Sequence, residues 1–149
     1  MRRAPLRAAL AIALLTGTIA QARDVMVQPE TVDVDAGQQI YAETCAACHG
    51  ANLEGQPDWQ GALPDGTRPA PPHDANGHTW HHGDGFLFVY TKFGGQAYVE
   101  MNNITGFKSA MPAFADQLDD QDIWNVLGFI KSTWPDRVQA VQRERTANQ

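Results

Sequence analysis

The stretch Cys45-Ala46-Ala47-Cys48-His49 decides how this chain is read, because it holds the only two cysteines among 149 residues. Ile40, Tyr41, Thr44, Cys45 and Cys48 recur at helical spacing, which predicts a helix from about Ala36 to Ala47. Asp35 reads as its N-cap, with Gln38 three residues later, and His49-Gly50 as its end. Positions three apart share one helix face, so both thiols lie together beside an imidazole. A disulfide between them would close a loop too small to stabilise the chain much. A thioredoxin-like pair would follow a strand in βαβ order, and a structural zinc site would need four Cys or His ligands. Neither pattern surrounds this motif. C-x-x-C-H marks covalent attachment of a c-type haem. Cys45 and Cys48 are expected to add to its two vinyl groups, with His49 as the proximal iron ligand.

Working outward, residues 1–22 read as a secretory leader. Arg2, Arg3 and Arg7 precede an apolar run from Ala8 to Ala20, and Ala20-Gln21-Ala22 offers a small-x-small cleavage site. The run is about 15 residues, short of the roughly 20 a membrane span needs. Cleavage is therefore expected to leave no stable span and a protein exported to the periplasm. Removing the three leader arginines leaves 8 Lys+Arg against 17 Asp+Glu, a formal charge of −9. That balance argues against nucleic acid as a partner, because phosphate is met by a basic face. It suits redox protein partners with basic docking surfaces, because opposite fields speed encounter.

Residues 23–34 read as an extended lead-in containing Pro29. From Asn52 to about Gly83 the chain is rich in Pro, Gly, Asp and Asn with no sustained period. So long a loop in a compact domain signals function, and a cofactor filling the interior would account for it. Asp84 is expected to cap a helix from Gly85 to Phe93, stopped by Gly94-Gly95, with a short helix near Tyr98 to Asn102. The last helix has the clearest start: Asp119 as N-cap, Asp122 at the third position, and Leu118 stapled onto Ile123. It is expected to reach about Thr133 and to stop at Trp134-Pro135. Residues 135–149 read as a polar tail, frayed or weakly helical.

This order resembles the class I cytochrome c family over residues 35–134. The resemblance implies an all-α, small helical domain wrapped around one covalently bound haem c. It also implies that Ser109-Ala110-Met111-Pro112 carries the distal ligand, Met111, with Met101 as its rival. Gly37 and Tyr41 are similar to the family's helix-crossing pair, and Val126 and Phe129 to their partners. A proline carbonyl is expected to hold His49, from among Pro57, Pro64, Pro69, Pro71 and Pro72. Trp59, Trp80 and Tyr98 are candidate pocket or propionate contacts. His73, His78, His81 and His82 fit three readings: a replacement sixth ligand, a second metal site, or hydrogen-bonding loop residues. The implied function is one-electron transfer, with no substrate chemistry. The alternatives are a haem subunit of a larger oxidase or dehydrogenase, or an enzyme or sensor with an open distal site.

Overall fold

The computed structural model describes residues 26–149. The leader expected over 1–22 lies outside the described residues. Helix α1 (Val34–Ile40) begins where the Asp33 carboxylate accepts the Ala36 N–H, so Asp33 rather than Asp35 is the N-cap. The helix does not run on regularly. Residues Tyr41–Cys45 form a π-helical turn in which the Ala46 N–H reaches back to the Tyr41 carbonyl. Such an insertion shifts the register of everything after it and is frequent at functional sites. The single turn α2 (Ala46–His49) follows and ends at Gly50, whose φ is +82°. At that φ any other side chain would be strained.

After a loop carrying only the 3-10 turn Thr79–His81, the chain forms α3 (Asp84–Phe93) and α4 (Gly95–Met101). Next come α5 (Asp120–Ser132) and α6 (Asp136–Ala147). No strand occurs among the described residues, and none of their helices is long and apolar enough to cross a membrane. The expected capping box of α5 is present: Asp119 accepts from the Asp122 N–H and Asp122 accepts from the Asp119 N–H. The cap of α3 differs from expectation. Gly83 holds that position, and Asp84 is the first helical residue, turned inward.

Helix α1 crosses α5 where a Cβ on Gly37 would lie 2.0 Å from the Asn125 carbonyl oxygen and 3.0 Å from Phe129 Cβ. Only glycine allows that approach. Tyr41 packs against Phe129 with ring centroids 5.5 Å apart. Around this crossing Tyr41, Leu53, Val126, Ile130, Trp134 and Val138 form one buried cluster, which Cys45 and Trp80 join at its edge. Leu87, Phe88, Ile123 and Leu127 form a second, between α3 and α5. Each such side chain contributes roughly 1.5–3 kcal/mol when fully buried.

The tail reading of 135–149 is corrected by α6. Its inner face is Val138, Gln142 and Thr146, all buried, at i, i+4 and i+8. Two of the three are polar, so the stripe escapes a search for apolar periodicity. They meet Asp84, whose Oδ1 accepts from Lys131 Nζ at 2.7 Å and from Gln142 Nε2 at 2.7 Å. Its Oδ2 accepts the Gln28 N–H at 2.8 Å, and the Asp84 N–H donates to Thr146 Oγ1. Burial works to raise the Asp84 pKa, but Lys131, the Gln28 N–H and Gln142 outweigh it and leave it below the usual carboxylate range. One buried carboxylate thus ties the lead-in, α3, α5 and α6 together.

Candidate functional site

The π turn and α2 deliver Cys45, Cys48 and His49 to the end of the first helical segment. Cys45 is half-buried and Cys48 exposed, and neither is in a disulfide. Burial pushes the Cys45 thiol up to about 11. His49 is buried, and burial lowers its pKa, so the imidazole is neutral at pH 7. Its Nδ1 donates to the Pro71 carbonyl at 2.8 Å, which fixes the tautomer and leaves Nε2 as the nitrogen with a lone pair for a metal. Of the five prolines considered, Pro71 is the one so placed.

The loop that brings Pro71 there is held by its own backbone. The Gly55 N–H donates to the His49 carbonyl, the Gln56 N–H to Ala70, and the His73 N–H to Leu53. Tyr41 Oη donates to the Gly50 carbonyl at 2.9 Å. Trp134, at the end of α5, donates its indole N–H to the His73 carbonyl at 2.7 Å. His73 itself stacks on His49 with centroids 3.9 Å apart and hydrogen-bonds Thr79 through Nδ1 at 2.6 Å. Burial and the neighbouring His49 keep His73 well below its ordinary pKa. The stacked His73 ring supports the position of His49.

Met111 sits on the opposite arm of the chain. Its N–H donates to Ser109 Oγ at 3.3 Å, and that hydroxyl pairs with Tyr90 Oη at 2.8 Å. The Met111 carbonyl accepts the Gly95 N–H at 3.0 Å, and the Phe114 and Ala115 N–H groups return to Thr91 and Lys92. Gly94, at φ +83°, lets this segment lie close, since a Cβ there would be 2.8 Å from the Ala113 nitrogen. Met101, the rival, is at the end of α4 and 57% exposed, whereas Met111 is half-buried. The hydroxyl chain through Tyr90 and Ser109 was not singled out from sequence. A tyrosine near one end of α3 carries no local signal that it faces residue 109.

The three aromatic candidates separate. The Trp80 indole N–H is taken by the Ala75 carbonyl, and its ring belongs to the α1–α5 cluster. Tyr98 packs its ring against Phe86 and Tyr90. Trp59 is half-buried, 5.8 Å from the His78 ring. The other histidines lie apart from His49. His81 stacks on Trp80 at 3.8 Å, while His78 and His82 approach each other through their Nε2 atoms at 2.9 Å. Burial, with His78, His81 and Arg145 nearby, holds His82 down at about 4.

Two free thiols three residues apart, a neutral imidazole with Nε2 open, and a half-buried thioether make up a donor set that suits covalently attached haem. With the all-helical architecture it defines the class: a haem-based electron-transfer domain. The chain matches the family model described as Cytochrome c over residues 34–134, more than half of its length, and belongs to that family. It therefore binds covalent haem c with its iron, and its family is generally one of electron carriers that work with redox partners. Such domains are typically extracytoplasmic. No match to the chain was found among curated proteins or among solved structures.

Proposed function

We propose that the protein is a monohaem carrier of single electrons, anchored through Cys45 and Cys48 and ligated by His49 and Met111. Haem c, when bound, supplies an iron that alternates between ferric and ferrous states. The chain's part is to hold two ligands of fixed chemistry. Pro71 orients His49, and the Ser109 and Gly95 contacts hold the backbone of Met111. A thioether is soft, and a Met/His pair raises the reduction potential. The one ring proton of His49 is held on the Pro71 carbonyl, and the Met111 thioether carries none. The observation that carries this reading is the His49 Nδ1 to Pro71 bond, the second contact that metal-binding histidines generally make.

The leader-like residues 1–22 and the attachment motif support a periplasmic setting, and the acidic balance supports partners with basic docking faces. Optical spectra of the oxidised and reduced protein test the ligand set, with Met111→Ala alongside wild type. The long-wavelength Met–iron(III) charge-transfer band should be present in wild type and lost in the variant. Its absence in wild type, with ready carbon monoxide binding to the reduced form, would overturn Met111 as ligand.

A further inference from the structure

Among the described residues outside Cys45, Cys48, His49 and Met111, the Nε2 atoms of two further histidines converge. The 3-10 turn Thr79–His81 is closed by the His81 N–H on the His78 carbonyl and the His82 N–H on Thr79. This brings His78 and His82 to one side, with Nε2 atoms 2.9 Å apart, ring planes 82° to each other and centroids 4.7 Å apart. His82 is set firmly: its ring stacks on Phe86 at 3.9 Å and its carbonyl accepts from Gln142 Nε2. His78 is exposed and flanked by Trp59. With metal–imidazole bonds of about 2.0 Å, nitrogens this far apart subtend roughly 90° at an ion, the cis angle of a tetragonal site.

We propose that His78 and His82 form a second, exchangeable metal site for a divalent transition ion of tetragonal preference, Cu(II) in type. Imidazole suits that ion, and nickel and copper favour square-planar or tetragonal nitrogen geometry. Tetrahedral zinc would want its two nitrogens further apart. No group of three or more His, Cys, Asp or Glu side chains converges among the described residues. Water or an incoming ligand therefore fills the other positions, and the ion stays accessible and replaceable. His81 is left out of the site because the nitrogens that converge are those of His78 and His82, while its ring lies over Trp80.

The test is titration of the haem-loaded, oxidised protein with Cu(II), read by calorimetry and by the copper electron paramagnetic resonance signal. Wild type should bind one ion with a superhyperfine pattern from two imidazole nitrogens. His78→Ala and His82→Ala should each weaken binding by at least the 10- to 100-fold that loss of a mere supporting group typically costs. The pattern in each should collapse to that of one nitrogen. His81→Ala should bind like wild type, and the haem spectrum of all variants should be unchanged, which shows that they are folded. Equal copper affinity in wild type and both single variants would overturn the proposal. Loss of binding in His81→Ala with retention in His82→Ala would overturn it too.

Discussion

The arms of this molecule that carry His49 and Met111 are built on different physics. The arm carrying His49 is wedged into a helix crossing: Gly37 against Asn125, Tyr41 against Phe129, and Trp134 reaching over to His73 in the loop of Pro71. Apolar burial fixes it. The arm carrying Met111 is an irregular segment laid on the junction of α3 and α4, held by backbone bonds and one pair of hydroxyls. Close-packed interiors resist displacement, whereas a few partly exposed hydrogen bonds open at low cost. His49 is thus part of the core, and Met111 is seated on it.

The comparison breaks or sharpens in four places. The largest effect is expected from Cys45→Ser/Cys48→Ser, which removes the two thiols proposed to anchor haem c. This variant should carry no covalent haem by mass spectrometry and should lose its cooperative melt. A native-like melt would show that the helix crossing suffices alone. Next comes Asp84→Asn, which leaves Lys131 half of a buried pair. Chemical denaturation at pH 7 should show a loss of about 3–5 kcal/mol. The Asp84 pKa is depressed in the fold, so its contribution is complete above the unfolded value of about 3.9 and fades as pH falls through the lower folded value. The gap between wild type and variant should therefore narrow in acid.

Gly37→Ala tests the proximal arm directly. Overpacking there should cost about 1–3 kcal/mol in urea unfolding, and a neutral result would mean that α1 can lift from α5. The smallest effect is expected from Tyr90→Phe, which removes one hydroxyl from Ser109 and should cost about 0.5–1.5 kcal/mol. Its clearer readout is carbon monoxide binding to the reduced protein, which should become faster while global stability barely moves. A loss as large as that of Gly37→Ala would erase the contrast between the arms.

Much of this was legible beforehand because it rests on local chemistry. The box at Asp119 and Asp122, the Gly94-Gly95 stop and the C-x-x-C-H turn each declare themselves within a few residues. What stayed hidden depends on distant partners. Five prolines follow His49, and only the fold of the loop selects Pro71. The π turn inserts one residue without changing the amphipathic pattern. Asp84 looks like a cap until α6 supplies Gln142 and Thr146 to receive it inside. Helix α6 reads as a frayed or weakly helical tail because a half-polar stripe looks like surface.

That last helix separates two meanings of the word domain. The family likeness stops at residue 134, while the structure continues through a further helix from Asp136 to Ala147. A piece cut at the family boundary would keep Cys45, Cys48, His49 and Met111 and discard Val138 from the core. It would also leave Asp84 with Lys131 but without Gln142. The unit that inheritance marks out and the unit that folds are not the same length in this chain, and anyone trimming it should cut by the second.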